Sequence, residues 1–188
     1  MENNKKIEKK YSVLMSVYYK EKPEWLKYSI ESMLEQTIFP DEIVLVKDGP
    51  LTPELDEVIK NFENENPALF NIIKLEKNVG LGPALEIGIL KCRNEFVARM
   101  DTDDYSVPNR IEKQFEIYEK YPELGMVGTN VDEFENNIDE VQCHVILPET
   151  PEEIYKFSKR RCPFRQPSLL YKKSEVLKAG NYRKFYLL

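Results

Sequence analysis

Residues 95–104 read EFVARMDTDD. Six residues dominated by Phe96, Val97, Ala98 and Met100 predict a buried strand, and it runs without a spacer into Asp101-Thr102-Asp103-Asp104. The chain therefore leaves the apolar interior at a rim that carries three carboxylates. Working back from this point, three more segments have the same form. YSVLMSV (11–17), EIVLV (42–46) and NIIKLE (71–76) are short, rich in β-branched residues, and each ends in a polar turn. A helical pattern follows every one. Pro23 opens a helix with Leu26, Ile30, Met33 and Leu34 on one stripe. Thr52-Pro53 caps another with Leu55, Val58, Ile59 and Phe62. After the loop NVGLGP (78–83), Leu85, Gly88, Ile89 and Cys92 line a third. Ser106 and Pro108 open a fourth, carrying Ile111, Phe115 and Tyr118. Strict alternation of strand and helix predicts an α/β fold, with a mostly parallel, Rossmann-like central sheet flanked by helices on both faces.

Beyond residue 122 the pattern changes to a mixed C-terminal part. GMVGTNVDEF (125–134) and CHVIL (143–147) read as strands, followed by a short helix from Pro151, a strand near Ser168–Tyr171, and a helix from Ser174 closed by Gly180. There is no repeat, low-complexity stretch or linker, so residues 11–188 form a single domain. Residues 1–10, with Lys5, Lys6, Lys9 and Lys10, form a flexible, solvated tail.

Composition narrows the class. A hydrophobic fraction of 41% with 32% charged residues marks a globular chain, and a net charge of −6 gives no reason to expect a nucleic-acid partner. Cys92, Cys143 and Cys162 are widely spaced, which argues against a zinc site and fits a reducing compartment. No apolar run is long enough to span a bilayer. A cytoplasmic protein, at most peripheral to the inner face of a membrane, is expected.

In open α/β sheets ligands bind at the carboxyl ends of the strands. Ser16 to Tyr19, Asp48 and the cluster at 101–104 all fall there. Asp48 in Asp-Gly is an ordinary turn residue; alternatively its carboxylate accepts the imide N–H of a uracil ring, reading the base rather than holding the structure. The acidic cluster is either a solvated turn with Asp104 or Ser106 capping the next helix, or a set of hard oxygen ligands for Mg²⁺ or Mn²⁺ shared with phosphate. NVGLGP has neither the GxGxxG nor the P-loop spacing. His144, the only histidine, lies in a strand without partner ligands and is structural, which leaves no serine–histidine arrangement.

Together these residues resemble the family 2 glycosyltransferases, inverting enzymes with the GT-A fold. YSVLMSVYYKEKPEWLKYSIESMLEQT is similar to the family's opening strand and helix, and EIVLVKDGP to its second strand, with Lys47 and Pro50 departing from Asp-Asp-Gly-Ser. KNVGLGPALEIGILKC and RQPSLLYKKSEVLKAGNYR also have counterparts. ARMDTDDYSVPNRIEKQ resembles the DxD segment and is the most specific stretch. The resemblance is particularly to members that build bacterial capsule, exopolysaccharide or lipopolysaccharide sugars.

The resemblance implies a nucleotide-sugar donor, a glycan or lipid-linked saccharide acceptor, and Mn²⁺ or Mg²⁺ as cofactor. It implies that Asp48 binds uracil, Ser16 sits beside the nucleoside, Asp101 approaches the ribose or donor sugar, and Asp103 is the metal ligand. Tyr18 and Glu21 lie in the same nucleotide-facing stretch. Glu86 stands where the family often has Asn, and Arg99 would hold Asp101 or Asp104 in place. The family's general base follows a segment like AGNYRKF, so the resemblance places the base beyond Leu188, at an end that is cut off. Rival expectations are a non-catalytic nucleotide-sugar-binding module, a nucleotidyltransferase and a structural interaction domain.

Overall fold

The computed structural model describes residues 7–135 and 137–184. Strands β1 (Tyr11–Val17), β2 (Glu42–Lys47), β3 (Phe70–Lys74) and β4 (Phe96–Arg99) alternate with helices α1 (Pro23–Leu34), α2 (Pro53–Glu65) and α3 (Leu81–Lys91). Helix α4 (Arg110–Lys120) and strand β5 (Met126–Val127) follow. A hairpin of β6 (Val131–Phe134) and β7 (Val141–Val145) comes next, then α5 (Pro151–Ser158), a 3-10 turn (Gln166–Ser168), β8 (Leu170–Lys172) and α6 (Lys173–Lys178). The main sheet has the order β3-β2-β1-β4-β8-β5, and the hairpin stands apart as its own two-stranded sheet. β1, β2, β3 and β4 run parallel, whereas β8 is antiparallel to both β4 and β5. This is the α/β architecture expected from the sequence, including its mixed C-terminal part.

Alternation along each strand divides the core into two layers. Tyr11, Val13, Met15 and Val17 of β1, Ile43 and Leu45 of β2, and Phe96 and Ala98 of β4 face α1, α2 and α4. Leu14, Val44 and Val97 face the opposite way, onto Leu85 and Ile89 of α3 and the partly buried Val176 and Leu177 of α6. Helix α3 lies close to the sheet because Gly88 has no side chain: a Cβ there would stand 2.6 Å from a Leu14 methyl and 2.8 Å from one of Val46. Thr52 caps α2 as expected, its hydroxyl accepting from the Leu55 N–H at 3.3 Å.

Several boundaries differ from the sequence expectations: β3 covers 70–74 rather than 71–76, and β7 covers 141–145 rather than 143–147. The predicted strand over 125–134 is two short strands in different sheets, since β5 joins β8 while β6 turns away to pair with β7. The helix expected from Ser106 and Pro108 begins at Arg110, and neither Asp104 nor Ser106 caps it; the loop before it is held instead by side chains of α1 and by Gln36 just after it, described below. The strand near Ser168–Tyr171 starts at Leu170, because Pro167 belongs to a 3-10 turn. In the tail, residues 7–10 are anchored: Ile7 packs on the core and Lys9 pairs with Glu119 at 3.0 Å. Residues 1–6 lie outside the described residues. Among the described residues no helix is long and apolar enough to cross a membrane.

Candidate functional site

From β1 the chain steps outward to β2 and β3, then crosses back to lay β4 on the other side of β1. The switch in direction opens a crevice at the carboxyl ends of β1 and β4, the general place for a ligand in such sheets. Two segments meet there, Ser16 to Lys22 at and beyond the end of β1 and Met100 to Asp104 after β4. They are joined at the strand ends by the Met100 N–H donating to the Leu14 carbonyl at 3.2 Å.

The acidic loop is fastened from below by Ser29 and Ser32 of α1 and by Gln36 just beyond its end. The Ser29 hydroxyl donates to the Asp101 carbonyl at 2.6 Å, and the Ser32 hydroxyl accepts from the Ser106 N–H at 3.1 Å. The Gln36 amide reaches the Ser106 hydroxyl at 3.0 Å and the Val107 carbonyl at 2.9 Å, while its oxygen accepts from the Ile111 N–H at 3.2 Å. All three side chains are buried, so these bonds take the place of a helix cap. Sequence reasoning missed them. The available signal was Ser29 and Ser32 among Leu26, Ile30 and Met33 on the buried side of α1, followed by Gln36 just past its end.

Charge is arranged in two tiers. Arg99, completely buried, pairs with the Asp101 carboxylate and donates to the Met100 carbonyl, which decides between the two partners expected for it in favour of Asp101. Arg110 is also buried, and burial lowers its pKa to about 10; it donates to the Pro167 carbonyl at 2.5 Å. Above these two cations stand Glu21, Asp101, Asp103 and Asp104. Burial, then the charges of Asp101 and Asp103, push the Asp104 carboxyl up to about 6 against the opposing pull of both arginines. Burial, then Asp103 and Asp101, also raise Glu21, while a hydrogen bond with Thr102 opposes the shift. The rim thus holds more negative charge than the arginines offset, and Asp103 is exposed. Among the described residues no trio of His, Cys, Asp or Glu is grouped to hold a metal. One or two free carboxylate oxygens suit a hard divalent cation whose remaining ligands come from phosphate and water.

Asp48 lies at the carboxyl end of β2, but it does more than the sequence reading assigned to it. It is only 3% exposed, and its two carboxylate oxygens accept from the Val79 N–H at 2.7 Å and the Gly80 N–H at 3.0 Å. The expectation that Asp48 reads a base without holding structure is corrected: it clamps the 78–80 loop against the end of β2. Gly49, with φ of 89°, permits this approach, because a Cβ would stand 2.6 Å from the Asn78 nitrogen. Each carboxylate oxygen retains a lone pair for a further donor.

The other named residues fall as follows. Ser16 is buried at the end of β1, while Tyr18 and Tyr19 are exposed beside it. Lys47, which departs from the family pattern, pairs with Asp56 of α2. Glu86 is exposed on α3, and its carbonyl accepts from Asn181 at 3.3 Å. His144 is exposed on the hairpin and meets Asp132 across it at 2.6 Å. The base expected beyond Leu188 lies outside the described residues.

A family model described as "Glycosyl transferase family 2" matches residues 12–178. The chain is 44% identical over 173 residues to an uncharacterised glycosyltransferase of Haemophilus influenzae, covering 92% of this chain and 64% of that one. It is 42% identical, with the same coverage, to the amylovoran biosynthesis glycosyltransferase AmsE of Erwinia amylovora. Over 180 residues, 95% of this chain and 64% of the relative, it is 36% identical to an Escherichia coli UDP-Gal:alpha-D-GlcNAc-diphosphoundecaprenol beta-1,3-galactosyltransferase. The chain therefore spans 64% of the length of these relatives. Among solved structures, S. aureus TarS in complex with UDP-GlcNAc superposes with a TM-score of 0.70 at 16% identity, over 93% of this chain and 48% of that one. A mannosyltransferase from Pyrobaculum calidifontis in complex with GDP-Man and Mn2+ superposes with a TM-score of 0.66 at 14% identity, over 93% and 47%. These likenesses show the GT-A fold.

Proposed function

The chain belongs to glycosyl transferase family 2, and from that premise we propose that it carries the donor site of an inverting, metal-dependent sugar transferase that uses a uridine diphosphate sugar in bacterial surface polysaccharide synthesis. The observation that carries this is the surplus of carboxylates at the crevice between β1 and β4, where burial, and then the charges of Asp101 and Asp103, push both Glu21 and Asp104 toward their protonated forms. A diphosphate would add still more negative charge there, so this crevice can take it only together with a cation. Asp103 would hold Mn²⁺ or Mg²⁺, and the ion, when bound, would neutralise the charge growing on the departing diphosphate.

The chain's own residues have separate tasks in this scheme. Arg99 keeps Asp101 in a single orientation, so that Asp101 can meet the ribose or donor-sugar hydroxyls. Ser29, Ser32 and Gln36 hold the loop rigid, so that little reorganisation is needed when the donor arrives. Asp48 offers the uracil imide an acceptor while holding the 78–80 loop, and Ser16, Tyr18 and Glu21 form the nucleotide-facing wall. The acceptor hydroxyl would then attack the anomeric carbon on the side opposite the diphosphate, forming the new C–O bond as the old one breaks. Its proton passes to a base for which no described residue is named. The E. coli relative supports a saccharide-diphosphate-lipid acceptor, and such an acceptor would bring the protein to a membrane surface.

Calorimetry with UDP in Mn²⁺ and in EDTA tests the donor site. Affinity should fall at least tenfold in EDTA, and Asp103→Asn should remove that difference. Equal affinity in both conditions would reject the metal-bridged site.

A further inference from the structure

The only tryptophan of the chain is not in the core. Trp25 lies on α1 one position before the buried Leu26, and Tyr28 lies one turn further along the same side; both are half-buried. Together with Phe134 of the hairpin they line a groove of about 430 Å³ between α1 and β6, with Lys22, Glu24 and Asn137 at its edge. Trp25 stacks on Phe134 at 6.3 Å between ring centroids, with the planes 25° apart, and the Lys22 ammonium stands 5.7 Å from the indole. Among the described residues Lys22 and Glu24 form no side-chain hydrogen bond or ion pair.

The groove adjoins the acidic crevice along its α1 wall. Lys22 follows Glu21; Tyr28 precedes Ser29, whose hydroxyl holds the Asp101 carbonyl at 2.6 Å; and Tyr28 stacks on Tyr105 at 5.0 Å, one residue after Asp104. A ligand in the groove would therefore adjoin whatever is held at the acidic rim.

We infer that this groove between α1 and the β6–β7 hairpin is a saccharide subsite, which takes a pyranose ring of the acceptor against Trp25 and Tyr28. A pyranose has an apolar C–H face and a hydroxyl-bearing edge. Flat aromatic rings with unpaired polar groups around them match both, whereas an apolar peptide would leave Lys22 and Glu24 without partners. The inference rests on the proposed donor site only for its direction: the ring bound here is the one that receives the sugar.

Because Trp25 is the sole tryptophan, its fluorescence reports the groove directly. The probe is an N-acetylglucosamine α-diphosphate carrying a short alkyl chain, with the same alkyl diphosphate lacking sugar as control. A saturable change with the glycosylated probe, and none with the control, is expected with the full chain and without any transfer. Tyr28→Ala should weaken probe binding about tenfold, near the upper worth of one aromatic contact, while leaving UDP affinity in Mn²⁺ unchanged. Trp25→Phe, which keeps a flat ring, should retain binding by calorimetry. Equal responses to probe and control, or a Tyr28→Ala variant of unchanged melting temperature that binds the probe like wild type, would overturn the subsite. Loss of the donor reading would look different: UDP would bind without regard to Mn²⁺ while the saccharide response persisted.

Discussion

Replacing Asp48 by alanine separates a residue that only contacts a ligand from one that also holds the protein together. The carboxylate is buried and accepts from two backbone N–H groups, those of Val79 and Gly80, at 2.7 and 3.0 Å. A hydrogen bond to a charged group contributes about 1.5–3 kcal/mol. The 78–80 loop is only half-covered, so water can reach the freed donors and recover part of that energy. The two bonds together should then be worth about 3 kcal/mol, which for a domain of this length lowers the melting temperature by about 6–12 °C. Differential scanning calorimetry of Asp48→Ala without nucleotide measures this. UDP titration of the same variant, well below its melting temperature, should show weaker binding as well, because both the uracil acceptor and the loop beside it are lost. A melting temperature within about 2 °C of wild type, less than 1 kcal/mol for a chain of this size, would refute the clamp. Asp48 would then be an unstrained turn residue.

Two further changes test the packing and charge around the site. Asp104 releases its proton near pH 6 in the folded protein and near its ordinary value of 3.8 when unfolded, so the native state holds the extra proton between them. Stability contributed through this group should fall as pH rises from about 4 to about 6, and stay flat above. Asp104→Asn should therefore match wild type near pH 4 and melt higher at pH 7 in EDTA; a constant offset at both pH values would reject the crowding. Gly88→Ala places a methyl 2.6 Å from Leu14 and 2.8 Å from Val46, both buried in the sheet. Overpacking of this kind should cost about 1–3 kcal/mol by urea denaturation, and a neutral result would mean that α3 can slide away from the sheet.

The alternation of apolar strands with helical stripes was legible in the sequence, because period 2 and period 3.6 follow from backbone geometry and need no knowledge of neighbours. The same holds for the cap at Thr52 and for the acidic loop, whose charges cannot follow Met100 into a core. Beyond residue 122 the sequence was a poorer guide. β5 has only two residues, and β8 reaches the sheet from far along the chain, so their pairing depends on long-range contacts rather than on local pattern. The same limit applied within the site. Asp101, Asp103 and Asp48 could be named from the sequence, and Arg99 as a partner of Asp101 or Asp104, but not which of the two it holds; Gln36 beneath the loop around Ser106 and the Val79 and Gly80 amides at Asp48, 31 to 70 residues from the groups they meet, could not be named at all. The sequence by itself determined at which strand ends the carboxylates fall, because each apolar run marks a strand and the carboxylates follow it directly. Only the tertiary structure decided what each carboxylate touches, since that depends on how closely α1 and the 78–80 loop pack against the sheet.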